Sequence, residues 1–143
     1  MGPRWVGPLA QFFGELVRAD DERWFHPHPL TRAYAQELGA YAGRDLYVLM
    51  VDERQVLGYG MLRGWDEGFE VPSLGIAISP AHTGRGLGRR MMEFLHEAAA
   101  KRGAKKIRLT VDESNLAAIR LYTSLGYTLI PDESGRLVGT RPA

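Results

Sequence analysis

The chain has 143 residues, 45% hydrophobic and 24% charged, with a formal net charge of +1. That is the size and balance of one domain able to bury its own core, and it argues against a general nucleic-acid binder, whose charge would be strongly basic. It has no cysteine, which removes disulfides, thiolate metal sites and a cysteine nucleophile and fits a reducing compartment; no apolar run reaches membrane-spanning length and the N-terminus lacks a signal-peptide layout, so no membrane partner and a cytoplasmic location are expected.

Met1 to Gly7 is rich in Gly and Pro, and a brief edge strand is expected at Arg4 to Val6. Leu9, Phe12, Phe13, Leu16 and Val17 then recur at i, i+3, i+4, i+7 and i+8, which predicts an amphipathic helix ending near Ala19, with Pro8 in its first turn. Pro27 and Pro29 keep the segment Trp24 to Pro29 out of regular helix. Thr31 is placed to cap a second helix running to about Tyr41, with Gly43 just beyond. The period then changes. Leu46 to Val51 and Val56 to Trp65 read as a hairpin, and Val71 to Ile78 as a third strand stopped by Pro80. Gly58 and Gly60 mark a bulge or a close backbone approach. Leu87, Met91, Phe94, Leu95 and Ala98 make the apolar stripe of a long central helix closed by Gly103. Ile107 to Val111 is the next strand, and strand–helix–strand implies a parallel, right-handed crossover. Ser114 or Asn115 caps a fourth helix, Gly126 ends it, and Tyr127 to Ile130 with Arg136 to Thr140 predict a terminal hairpin. No repeat or linker interrupts the chain, so residues 1–143 are read as a single α/β (α+β) domain.

Leu74 to Leu95 carries the clearest chemistry. An apolar strand runs through a Pro-broken loop into Gly84, Gly86 and Gly88 and then a helix N-terminus. Backbone N–H groups point outward there and the helix dipole favours an anion. Arg85, Arg89 and Arg90 add cations, so a phosphate site is expected. A nucleotide P-loop would require Gly-Lys-Ser/Thr, which is absent. A dinucleotide fingerprint would require a third glycine at position 89, which is Arg. Taken alone, the glycines fit a ligand-free tight turn equally well.

The run from Ile78-Ser79-Pro80 into Gly84-Arg85-Gly86-Leu87-Gly88 resembles motif A of the GCN5-related N-acetyltransferases. Asn115, Ala118, Tyr122, Gly126 and Tyr127 resemble motif B of the same superfamily. The two occur in the right order, and the resemblance covers Ile76 to Tyr127. It implies a mixed, centrally splayed sheet of about six or seven strands flanked by four helices. It also implies transfer of acetyl from acetyl-CoA to a primary amine by direct attack, without a metal. On that resemblance, Thr83, Gly84, Arg85, Gly86, Leu87, Gly88 and Arg89 hold the coenzyme A pyrophosphate. Thr83 stands where the superfamily has Gln or Arg. Ile76, Ala77 and Ile78 pair with the pantetheine arm, Asn115 and Ala118 flank it, and Tyr122 is the general acid for the departing thiolate. The acceptor amine must lose a proton, and Glu70 and Asp112 are the candidate bases. His26 and His28, with Trp24 and Phe25 beside them, and Trp65 are candidate acceptor-side residues. His82 and His96 are expected on the surface. A small-molecule amine or amino sugar is the expected acceptor, with no nucleic-acid partner and a monomer or homodimer as the assembly. A non-catalytic coenzyme A-binding module of the same fold is the alternative.

Overall fold

A computed structural model describes residues 1–143. Four helices and six strands follow in the order α1 (Val6–Arg18), α2 (Arg32–Ala40), β1 (Leu46–Asp52), β2 (Gln55–Arg63), β3 (Ser73–Ile78), α3 (Leu87–Lys101), β4 (Lys106–Asp112), α4 (Leu116–Ser124), β5 (Thr128–Pro131) and β6 (Arg136–Pro142). The sheet order is β1-β2-β3-β4-β6-β5. Every neighbouring pair is antiparallel except β3 and β4. This is the mixed sheet with four helices expected from the resemblance.

The alternation of β2 explains why the molecule has two cores. Met61 points to one face and Leu62 to the other. On the first face Tyr59, Met61 and Ala77 pack against Leu9, Phe12, Phe13 and Leu16 of α1 and Leu38 of α2. On the second, Leu62, Leu74, Ile107, Leu109 and Val111 pack under Met91, Met92 and Leu95 of α3 and Tyr122 of α4. Each large side chain removed from water contributes roughly 1.5–3 kcal/mol. Gly60 lets α3 approach the sheet closely, since a Cβ there would lie 2.7 Å from Met91 Sδ. Thr31 caps α2 as its sequence position predicts, its Oγ1 accepting from the Tyr34 N–H at 3.2 Å.

Three local expectations are corrected. The N-terminal edge strand is instead a short 3-10 turn, Pro3–Trp5, because Pro3 has a helical φ and no N–H to give a ladder. Val6 then packs against Gly39, where a Cβ would sit 2.7 Å from Val6 Cγ2. Phe94, assigned to the apolar stripe of α3, is 55% exposed. The buried face of α3 runs instead through Met91, Met92, Leu95, His96 and Ala99. His96 is therefore buried rather than on the surface. Its Nε2 lies 2.7 Å from the Tyr127 hydroxyl, and Arg141 donates to its Nδ1 at 2.8 Å. Nδ1 accepts, so the ring is neutral and Nε2–H donates to Tyr127. No helix is long and apolar enough to cross a membrane.

Burial, with the Arg141 charge in support, pushes the His96 pKa down from 6.5 to about 4. Between those values the unfolded chain binds a proton that the folded chain does not, so stability rises with pH there and is lost as pH falls from about 6.5 to about 4. The melting temperature is expected to drop across this window. His96→Gln, which keeps a donor for Tyr127, is expected to flatten the drop; an unchanged slope in that variant would assign the acid sensitivity to other groups.

Candidate functional site

The site begins where the sheet fails to pair. β3 and β4 share one register pair, Ser73 with Arg108, supported by the Arg108 N–H donating to the Pro72 carbonyl at 3.0 Å. Beyond it the two strands part, and Ile76 to Ile78 have no strand partner on that side. A cavity of about 350 Å³ opens in the gap. β3 forms one wall, the glycine loop and the start of α3 close one end, and α4 forms the opposite wall.

The glycine loop has the geometry of an anion cradle. Gly84 and Gly86 are left-handed, with φ of 78° and 77°, a conformation that disfavours residues with a Cβ. Gly86 is the N-cap of α3 and no side chain caps the helix. The first-turn N–H groups are therefore free for a ligand. Gly88 serves a different need: a Cβ there would meet Leu121 Cδ2 at 3.3 Å, so its absence lets α3 and α4 converge beside the gap. Thr83, Gly84, Gly86, Leu87 and Gly88 all line the cavity. Arg85 and Arg89 do not; Arg85 is exposed, and Arg89 is turned to donate to Ser124 Oγ at 2.7 Å.

On α4, Asn115 rather than Ser114 is the cap, its Oδ1 accepting from the Ala118 N–H at 3.3 Å. Asn115, Ala118 and Tyr122 face the cavity together, as their spacing along one helix face requires. Tyr122 is 8% exposed and its ring lies 5.9 Å from that of Tyr127. It belongs to the second core and to the cavity wall at once. Its hydroxyl makes no hydrogen bond within the protein. Burial raises its pKa to about 12, so the phenol keeps its proton at neutral pH.

The remaining candidates divide. His26 lines a second cavity of about 240 Å³ that shares Trp24 and Phe25 with the first. His28 does not line either. Its Nε2 is 2.9 Å from the Tyr59 hydroxyl, its Nδ1 2.8 Å from the Pro29 carbonyl, and its ring stacks on Tyr34. It is a core residue whose pKa is lowered by burial. Trp65 is also remote, packed on the second core with the Arg102 guanidinium 4.7 Å above its ring. Glu70 lies in the exposed loop before β3 and Asp112 ends β4; neither lines either cavity. The Ser114 hydroxyl and N–H both donate to Asp112, holding its carboxyl below the usual range. No group of three or more His, Asp or Glu residues is arranged to hold a metal ion.

Other lining residues were not legible as such. Leu16 reads as ordinary core and Asp21 as a polar turn, yet both reach the cavity wall, as do His82 and Leu121. The Trp24 indole N–H donates to Ser114 Oγ at 3.1 Å, so the loop between α1 and α2 is tied to the start of α4 across the cavity.

A splayed parallel pair leading into an uncapped helix N-terminus gives a groove whose length and free N–H groups suit an elongated ligand with an anionic end. Residues 12–127 match the family model described as Acetyltransferase (GNAT) family, and the chain belongs to that family. The L-methionine sulfoximine/L-methionine sulfone acetyltransferase of Salmonella typhimurium is 33% identical over 99 residues, covering 64% of this chain and 58% of that protein. The [ribosomal protein bS18]-alanine N-acetyltransferase of Escherichia coli is 43% identical over 58 residues, covering 41% of this chain and 39% of that protein. The matches thus span about half the length of these relatives or less. Among solved structures, a GCN5-related N-acetyltransferase from Kribbella flavida superposes with a TM-score of 0.79 at 24% identity, over all of this chain and 95% of that one. The Thermoplasma acidophilum PaiA N-acetyltransferase in complex with coenzyme A has a TM-score of 0.81 at 11% identity, over all of this chain and 96% of that one.

Gly86→Ala is expected to destabilise the chain by about 1 kcal/mol through backbone strain, a loss of about 4 °C in melting temperature. Gly7→Ala, in α1 with open space around it, is expected to leave the melting temperature unchanged or raise it. Equal effects of the two substitutions would remove the strain argument.

Proposed function

We propose that this chain transfers an acetyl group from acetyl-CoA to the primary amine of a small molecule. The observation that carries the reading is the single cavity with an uncapped helix N-terminus at one end, an unpaired strand edge along its side and Tyr122 in its wall. These suit, in turn, a pyrophosphate, a peptide-like arm and a leaving thiolate. Two relatives are named as acetyltransferases, one of L-methionine sulfoximine or L-methionine sulfone and one an N-acetyltransferase of a ribosomal-protein alanine, and the relative yncA from Salmonella typhimurium was solved with acetyl-CoA.

The co-substrate supplies an activated thioester: the acceptor nitrogen forms a bond to its carbonyl carbon as the carbon–sulfur bond breaks. The residues of the chain do the rest. Amides of Gly84 to Gly88 hold the pyrophosphate, with the Thr83 hydroxyl in place of the superfamily's Gln or Arg. The free edge of Ile76 to Ile78 binds the arm as an added strand. A backbone N–H on that edge donates to the carbonyl oxygen as negative charge develops there. Tyr122 gives its proton to the departing sulfur; the proton that the acceptor nitrogen loses passes to water, from which the phenolate is reprotonated. A thiol ordinarily titrates near 8.5, below the value of about 12 for Tyr122; desolvation in the same groove raises the thiol as well, which narrows the gap.

Thermal melts with acetyl-CoA, coenzyme A, ATP and NAD test the cofactor, and thiol release with an amine panel tests the transfer. Stabilisation by the two coenzyme A species alone is expected. Tyr122→Phe is expected to retain that stabilisation and to lose about a hundredfold in kcat. An unchanged rate in Tyr122→Phe at every pH would remove the acid role. Coenzyme A binding without transfer to any amine would leave a non-catalytic binding module.

A further inference from the structure

The second cavity, of about 240 Å³, lies between the α1–α2 loop, β2, β3, β4 and the start of β6. Its charged lining is unbalanced: Arg63, Arg108 and Arg136 contribute, and no Asp or Glu does. None of the three arginines forms an ion pair. The two salt bridges in the chain join Arg23 to Asp20 and Lys101 to Glu97. Asp112 is near enough to feel Arg136, yet its carboxylate is held by Ser114.

The hydrogen bonds are also incomplete. Arg63 donates to the Pro27 carbonyl at 3.0 Å, which aims its guanidinium along the loop wall. Arg136 Nε is buried with no hydrogen-bond partner. Such a donor on a charged group costs free energy unless an acceptor arrives. The Arg108 guanidinium and the hydroxyls of Ser73 and Thr110, all lining the cavity, make no hydrogen bond within the protein. Arg108, Thr110 and Arg136 share one face of the sheet, since Arg136 pairs with Asp112 in register and residues two apart on a strand point the same way. Guanidinium forks beside hydroxyl donors form a site for an oxyanion.

Resting on the acetyltransferase reading above, we propose that this cavity binds the acceptor and that the acceptor carries an anionic group, a carboxylate or a phosphate, held by Arg63, Arg108 and Arg136. The position agrees with that role. Ser73 to Gly75 line the second cavity and Ile76 to Ile78 the first, on one strand, with Trp24 and Phe25 shared between them. Three residues of strand span about 10 Å, so the amine reaches the thioester while the anion stays on the arginines. That span is the upper limit on the separation between the anionic group and the reacting nitrogen.

The test uses the full chain, acetyl-CoA and matched amines. Each α- and ω-amino acid is paired with its carboxamide and with the corresponding aminophosphonate, and glucosamine with its 6-phosphate; rates are compared per free amine, because amidation alters the amine pKa. At least one anionic member is expected to exceed its neutral partner about tenfold or more in kcat/KM. The carboxylate and phosphate arms decide which oxyanion the site takes. In Arg108→Gln and Arg136→Gln the preference is expected to fall to about unity. Two variants are used because Arg136 is half-buried and its replacement could impair folding, whereas Arg108 is exposed. Neutral partners acetylated as fast as the acids, or arginine variants that slow both members alike, would overturn the proposal and leave the acetyltransferase reading standing. If no amine is acetylated, calorimetry of the same pairs on the coenzyme A-loaded chain decides. Arg108-dependent binding of the acid alone would uphold the anion site while the transferase reading falls, and equal or absent binding would sink both.

Discussion

The structure depends on the parting of β3 and β4. Their parallel ladder has one register pair, and past it the backbone of β3 faces an opening rather than a strand. Unpaired backbone polar groups away from water are costly, so such a gap persists only where the surrounding packing enforces it. Here two helices enforce it. α3 is drawn onto the sheet through Gly60, and α3 and α4 meet across Gly88. The N-terminus of α3 therefore lies beside the open edge against the flank of α4, and the chain presents free N–H donors from a strand, a glycine loop and a helix end in one groove.

The loop between α1 and α2 completes the groove because it is anchored on three sides. His28 ties it to Tyr59 in the first core, Arg63 holds the Pro27 carbonyl, and Trp24 reaches Ser114 at the head of α4. The result is a wall with a cavity on either side, sharing two aromatic rings. The two buried histidines are structural by the same logic. His28 on the first face and His96 on the second each bond a tyrosine hydroxyl, and burial lowers the pKa of both. Neither is free to move a substrate proton.

Most element types were readable because the signals are local. The i, i+3, i+4 pattern of α1, the Thr31 cap and the glycine stops at 103 and 126 each act within a few residues; α2 instead ends at Ala40 on an extended Tyr41, before Gly43. The glycine loop and the Asn115–Ala118–Tyr122 face were readable for the same reason, since one helix turn sets their spacing. What failed involved partners distant in the chain. His96 looks like a surface residue until Tyr127 and Arg141 come to it, and Phe94 looks like core until the face of α3 is set by contact with the sheet. His28 and Trp65 are close in sequence to groove-lining residues but pack away from the groove.

The sequence by itself determined an α/β chain, most of its helices and strands, and a glycine loop at a helix N-terminus, because propensity, capping and periodicity are written in neighbouring residues. Only the tertiary structure decided how far β3 and β4 stay paired, which face of α3 is buried, and that Arg63, Arg108 and Arg136 line one cavity with no carboxylate among its walls. Those three arginines come from three strands, and the separation of charges in sequence carries no information about their separation in space until the sheet order and register are set.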